Sequence, residues 1–257
     1  MPSESNRYRA YAIRYGHRDE VPAFEAFHRA HAAPPGGMDY FIWLITDGQR
    51  NVVVDTGYSE AEGTRRGRQF LRSPERGLAA MGVDAARVEH VVLTHFHYDH
   101  IGGQALFPNA RFYVQEAEMR FYTGPDAGRP VIRDSIYLPD VLSLVSLNYA
   151  GRVKFVDGDA QICPGVWVHK ASGHTAGMQF VSLETSRGRA VLTSDASHYY
   201  ANMEESNVFN TFVDLAGVLR GHERIREIAS APELIVPGHD PLVLERLTRV
   251  ADGIVEL

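Results

Sequence analysis

Directly after the apolar run Val91-Val92-Leu93, the chain reads His95-Phe96-His97-Tyr98-Asp99-His100. An imidazole- and carboxylate-rich segment at the exit of a predicted buried strand is a poor core-packing element. It is a good ligand set for a borderline divalent ion such as Zn²⁺, which takes imidazole nitrogen at about 2.0–2.1 Å and carboxylate oxygen at about 2.0–2.2 Å. Along an extended or tightly turned backbone, residues 95 and 97 point one way while 99 and 100 diverge. One loop can therefore serve two neighbouring ions. The fold must then bring further ligands to the end of this strand.

Sequence patterning indicates where such strand ends fall. Residues 8–15 and 40–46 are rich in β-branched and aromatic side chains and predict strands. Asp47-Gly48 predicts a tight turn, with 51–55 returning as the second arm of a hairpin. Residues 16–38, which hold His17, His28 and His31, read as a loop or short helix near a pocket. Ser73-Pro74 and Gly82 bracket a predicted helix over 74–82. Strand 88–94, the histidine loop, and Gly102-Gly103 opening a short helix come next. A strand is predicted over 111–115, a helix over 116–122 and a helical excursion over 124–151. Strands over 153–156, 159–162, 166–171, 178–184 and 189–194 follow, then a helix near 214–229 and a strand over 234–236. Clustered short strands with helices spaced among them predict two sheets between helical layers. No repeat, linker or composition break divides the chain, so residues 1–257 are expected to form a single domain.

Composition excludes several function classes. A formal net charge of −6 disfavours a phosphate-tracking surface and hence nucleic acid. The cluster Arg65-Arg66-Gly67-Arg68, with Arg72 and Arg76, reads as a solvated face. No apolar run reaches the roughly 18 residues of a membrane span, and the start lacks the layout of a secretory signal. The lone Cys163 predicts no internal disulfide and fits a reducing, cytoplasmic setting. A small-molecule substrate is the expected partner, and a homo-oligomer is compatible with the sequence.

The chain contains 12 histidines, and those at strand ends are the ones to test. His174 follows strand 166–171 within Ser172-Gly173-His174-Thr175-Ala176-Gly177, where flanking glycines allow close backbone approach. Asp195 follows Ala190-Val191-Leu192-Thr193-Ser194, and His239 follows Val236-Pro237-Gly238. By contrast His90, His169 and His222 read as ordinary strand or helix residues.

His95-x-His97-x-Asp99-His100, then His174, Asp195 and His239 in that order, resembles the metallo-β-lactamase superfamily. Asp55-Thr56-Gly57 resembles that superfamily's early strand-end Asp-x-Gly. The resemblance runs from about residue 39 to residue 242. It implies an α/β fold of the αββα sandwich type, two mixed sheets packed between helices, with metals at one edge. Carried over by position, it implies that His95, His97 and His174 hold one metal, that Asp99, His100 and His239 hold a second, and that Asp195 bridges them. Asp55 is implied to be structural. The cofactors expected are two divalent ions, Zn²⁺ foremost.

Within the superfamily, Ser194-Asp195-Ala196-Ser197-His198-Tyr199-Tyr200 and Pro237-Gly238-His239-Asp240-Pro241 resemble segments of N-acyl-homoserine lactonases. The implied reaction is ring opening of a lactone by a metal-bridging hydroxide, a quorum-quenching chemistry. Asp99, His198 and Tyr199 are the catalytic candidates beside the ligands. His198 stands where those lactonases carry a tyrosine three residues after the bridging aspartate. An imidazole with a pKa near 6.5 can donate to substrate or leaving group there, and Tyr199 can alternatively supply the hydroxyl. Phe24, Phe27, Met38, Phe121, Tyr122, Ile136, Tyr137 and Leu138 are candidates for an apolar pocket or for ordinary core. The alternatives are hydrolysis of another small ester, amide or thioester on the same metals, or a non-catalytic metal-binding scaffold.

Overall fold

The computed structural model describes residues 7–29, 32–34 and 36–257. Among them, the first sheet is built from β1 (Arg9–Arg18), β2 (Met38–Thr46), β3 (Asn51–Val54), β4 (Gln69–Phe70), β5 (His90–Val92), β6 (Arg111–Gln115) and β7 (Val153–Val156), joined by β13 (Thr248–Ala251) and β14 (Ile254–Glu256). Its order is β13-β14-β1-β2-β3-β5-β6-β7, with β4 paired to β1. The second sheet takes β8 (Ala160–Cys163), β9 (Val166–Lys170), β10 (Gln179–Thr185), β11 (Gly188–Ser194) and β12 (Ile235–Pro237), in the order β12-β11-β10-β9-β8.

The hairpin forms as its turn chemistry requires. Asp47 Oδ1 accepts from the backbone N–H groups of Gln49 and Arg50 at 2.9 and 2.7 Å, and Gly48 takes the left-handed conformation at φ 87°. Strand β2 is buried along nearly its whole length because both its faces are covered. Side chains alternate between two cores. Tyr40, Ile42, Leu44 and Val91 pack with Leu78, Val141 and Leu144 of the outer helices. Phe41, Trp43, Ile45, Val54 and Val92 face Val166, Val168, Val181, Leu192 and Val236 of the second sheet. Phe180 and Val191, on that sheet's far side, pack on Ile225 of the helix Leu215–Ile228. The layers are therefore helix, sheet, sheet, helix.

Most predicted elements form within a few residues of their expected bounds, with instructive exceptions. The Ser73-capped helix runs Pro74–Ala80. The short helix expected after Gly102-Gly103 forms at Gln104–Leu106, and a further turn of helix, Tyr98–Ile101, lies inside the histidine motif itself. Strand β1 runs on to Arg18, and a short helix Ala23–Ala26 follows. The C-terminal strands β13 and β14 have no counterpart in the sequence reading. β14 pairs with β1, Tyr11 opposite Glu256, so its partner lies at the other end of the chain. His31 lies outside the described residues.

Candidate metal centre

Strand direction gathers the site. β3, β5 and β6 run parallel, so Asp55 and the histidine segment leave the first sheet at the same edge. In the second sheet β9 and β11 each lie antiparallel to β10, and β12 is parallel to β11. The ends of β9, β11 and β12 therefore point the same way, and His174, Asp195 and His239 follow them. Loops at the carboxyl ends of parallel strands are where open sheets place ligands.

Three groups of side chains converge there, with one donor atom from each member within 4.8 Å of the others. His95, His97, His174 and Asp195 form the first, Asp99, His100 and His239 the second, and Asp195, His198 and His239 the third; all are buried. In the first, His174 Nε2 lies 2.9 Å from His97 Nδ1 and 3.2 Å from His95 Nε2. In the second, Asp99 Oδ2 is 3.4 Å from His100 Nε2 and 3.6 Å from His239 Nε2. Asp195 stands between them. Its Oδ2 is 3.3 Å from His174 Nε2, while its Oδ1 is 2.9 Å from His239 Nε2 and 3.3 Å from His100 Nε2.

The outer ring nitrogens fix which atoms face inward. His174 Nδ1 donates to Thr211 O at 2.6 Å, and His239 Nδ1 donates to Asp39 O at 2.9 Å. A carbonyl only accepts, so in the neutral rings both Nε2 lone pairs point into the cluster. His100 Nδ1 lies 2.7 Å from Asp55 Oδ2, and His95 Nδ1 3.1 Å from Thr94 Oγ1. Such outer partners commonly orient metal-binding imidazoles. Inward lone pairs beside a carboxylate repel unless a cation sits among them. Consistent with this, His100 Nε2 and Asp195 Oδ1 are buried without a hydrogen bond. The donor set thus fits divalent ions.

Electrostatics divide the cluster. Burial, reinforced by neighbouring imidazoles, holds His95 and His174 well below the ordinary histidine range, and burial brings His97 down to about 4. Around His100, burial is outweighed by Asp195, Asp99 and Asp55, which raise it; Asp195 and Asp99 likewise outweigh burial to raise His239. Burial of Asp195 is overcome by His239, His100 and His198, which hold it well below the carboxylate range. Without metal, the second group is thus the more readily protonated of the two.

Beneath the site, two non-glycine residues sit in the left-handed region, Asp55 at φ 62° and Ser194 at φ 44°. Asp55 accepts from Thr94 N and His100, and Ser194 Oγ reaches both Thr94 Oγ1 at 2.9 Å and Asp55 Oδ2 at 3.3 Å. The surrounding hydrogen bonds hold both residues in this costly conformation next to the site.

The remaining candidates separate. His198 Nε2 lies 2.9 Å from Asp195 Oδ2, and its ring stacks on Phe209 at 3.8 Å between centroids. Tyr199 is buried beside Phe27; its hydroxyl donates to Gly37 O at 3.1 Å and makes no hydrogen bond to the seven expected ligands. Tyr122 is buried and its ring stacks on Phe96, whereas Phe24 and Leu138 are largely exposed. The arginines divide. Arg65 and Arg66 pair with Glu62, but Arg66 also covers the Tyr98 ring and Arg68 donates to the Tyr98 hydroxyl, so this cluster supports the histidine segment as well as meeting solvent.

Other histidines have partners away from the cluster. His17 pairs with Asp39, His28 with Asn210 and His90 with Tyr113. His169 links Asp159 to Ser182, which is buried on β10, and His222 donates to Ala196 O. Sequence reading missed Asp39 and Glu118. Asp39 N–H donates to His239 O while Asp39 O accepts from the His239 ring. An acidic residue opening a strand or helix carries no mark distinguishing it from ordinary surface charge.

Residues 35–239 match the family model of the Metallo-beta-lactamase superfamily. The chain belongs to the metallo-β-lactamase superfamily. Among curated proteins it is similar to an N-acyl homoserine lactonase of Bacillus sp., 32% identical over 221 residues that cover 79% of this chain and 82% of the relative. The crystal structure of a quorum-quenching N-acyl homoserine lactone lactonase superposes with a TM-score of 0.76 at 22% identity, covering 98% of this chain and 99% of that one. AidC, a dizinc quorum-quenching lactonase solved with a product, gives 0.70 at 16% identity, covering 99% and 95%. At those identities the two structures establish the αββα fold alone.

Proposed function

We propose that this chain is a dinuclear-metal hydrolase that opens a lactone ring, with N-acyl homoserine lactones as the substrate class. The observation that carries the reading is Asp195, which turns one carboxylate oxygen toward His174 and the other toward His239 and His100. Under this reading His95, His97 and His174 hold one ion, Asp99, His100 and His239 the other, and Asp195 both. The imidazole and carboxylate donors suit Zn²⁺. When bound, two such ions supply Lewis-acid polarisation of a carbonyl and a nucleophile drawn from water at neutral pH.

The chain's own groups do the rest. Thr211 O, Asp39 O and Asp55 hold three of the rings in the tautomer that leaves Nε2 free inward. Burial excludes bulk water and strengthens each charge interaction. His198, hydrogen-bonded to Asp195 and stacked on Phe209, would hold or deliver a proton at Nε2. Similarity to curated lactonases supports the ester-ring substrate. His198, an imidazole where the lactonase resemblance implies a tyrosine, favours, as a second reading, a different small ester or amide on the same centre. No helix among the described residues is long and apolar enough to cross a membrane. The free Cys163 suits the cytoplasm. We take residues 1–257 as a single domain.

Metal analysis combined with a screen of lactones, esters and amides tests this. Two equivalents of zinc with turnover of N-acyl homoserine lactones is expected. Bound zinc without turnover of any lactone overturns the lactonase reading, and no bound metal overturns the hydrolase reading altogether.

A further inference from the structure

The helix Glu116–Tyr122 carries a carboxylate, Glu118, that the chemistry above does not use. Glu118 is 1% exposed, and no cation reaches it at hydrogen-bond distance among the described residues. Instead Oε1 accepts from the backbone N–H of Phe96 at 2.8 Å, while Oε2 accepts from Gly177 N–H at 2.7 Å and from Thr175 Oγ1 at 2.8 Å. Phe96 sits between His95 and His97, and Thr175 follows His174. One side chain thus ties together the two backbone segments that carry the first group of imidazoles, 79 residues apart at His95 and His174.

The contact is close in backbone as well as side chain. A Cβ built on Gly177 would fall 2.3 Å from Glu118 N, so only glycine lets the His174 loop lie against this helix. The same helix holds the Phe96 ring through Tyr122, stacked at 5.9 Å. Three donors converge on a group that offers only acceptors, which is the arrangement a carboxylate satisfies and an amide cannot. A glutamine there would turn its NH₂ toward Phe96 N–H or toward the Gly177 and Thr175 donors.

We infer that Glu118 is a positioning residue, holding the His95–His97 segment and the His174 loop in the one register that lets their three ring nitrogens converge on a single ion. The inference rests on the metal-centre reading above. The hydrogen bonds of Glu118 go to Phe96, Thr175 and Gly177 and to no ligand ring, so its effect passes through those segments. It therefore acts on the first group of ligands and leaves Asp99, His100 and His239 in place, because His100 and His239 are anchored separately by Asp55 and Asp39.

Site-resolved metal binding tests this without using activity. Chelator-treated protein is titrated with Co²⁺ alone, followed by visible absorption, and with Zn²⁺ against a chromophoric chelator, for the wild type, Glu118→Gln and Thr175→Val. Thermal melting of the metal-free forms is recorded alongside. In Glu118→Gln one equivalent is expected to weaken by about 10–100-fold, as for other residues that orient ligands, with the other within about threefold of wild type. Thr175→Val removes one of the three hydrogen bonds and keeps the carboxylate, so the same equivalent should weaken by about fivefold. This variant decides the matter if Glu118→Gln does not fold. Metal affinities unchanged in both variants, or both equivalents weakened alike, overturn the inference, since a purely structural role predicts lower melting with no selective loss. Metal-free wild type that takes up neither ion overturns the metal reading itself, and the positioning role with it.

Discussion

His198 Nε2 lies 2.9 Å from Asp195 Oδ2, the same oxygen that faces His174. The imidazole is therefore bound to the carboxylate at the middle of the centre, with its other side against Phe209. Replacing His198 by alanine should lower kcat by about 10–100-fold, the scale of a lost proton donor, and keep both metal equivalents. Metal analysis separates the roles: loss of one equivalent would identify His198 as a ligand, as its grouping with Asp195 and His239 allows.

Asp195→Ala should be the most damaging single change in the centre. It removes the only side chain shared by the first and third groups that also faces His100. Metal content should fall below two equivalents and kcat/KM by about 100-fold or more. Normal activity and full metal content in this variant would refute its bridging role.

Removing metal should itself destabilise the fold. The inward lone pairs of His95, His97 and His174 then face one another and Asp195 across about 3 Å, and an ion that binds only the native state stabilises it by mass action. Chelator-treated protein should melt several degrees lower and recover on adding Zn²⁺. A Tm unaffected by chelator would sink the expectation.

Gly238 marks a packing limit beside the site. A Cβ there would approach Ser194 C and O at 2.7 Å and Asp195 Oδ1 at 3.0 Å. Gly238→Ala should cost about 1–3 kcal/mol by overpacking and displace His239 or Asp195. Denaturant unfolding together with zinc stoichiometry checks both effects, and a variant matching wild type in each would show that the loop yields.

His222 predicts a limb of acid sensitivity away from the ligands. Burial pushes it down to about 4, partly opposed by the Ala196 carbonyl that its Nε2–H contacts. In the unfolded chain it titrates near 6.5. The unfolded state thus binds the extra proton between these values, so stability is complete above about 6.5, falls as pH drops toward 4, and is flat below. The loss is on the order of 3 kcal/mol. His222→Gln keeps a donor and cannot titrate. Metal-free His222→Gln should lose less stability than metal-free wild type between pH 7 and 4.5, and equal losses would exclude this source.

How far this protein is legible from its residues depends on how local each signal is. The hairpin at Asp47-Gly48, the Ser73-Pro74 helix start and the alternating cores of β2 follow from turn chemistry, capping and side-chain period, all acting over a few residues. Strands β13 and β14 are short; β14 takes its stability from pairing with the distant β1, and β13 from pairing with β14, so local sequence does not announce them. The candidate ligands stand out in the sequence because imidazoles and aspartates directly after apolar strands are chemically unusual. Their convergence was legible only through the family resemblance, since it depends on β9, β11 and β12 all running in one direction and on two sheets meeting at one edge. Tertiary structure alone decided that Tyr199 turns to Gly37 and that Glu118 joins two loops. Each is a contact between segments distant in the chain, set by how sheets and helices pack rather than by neighbouring residues.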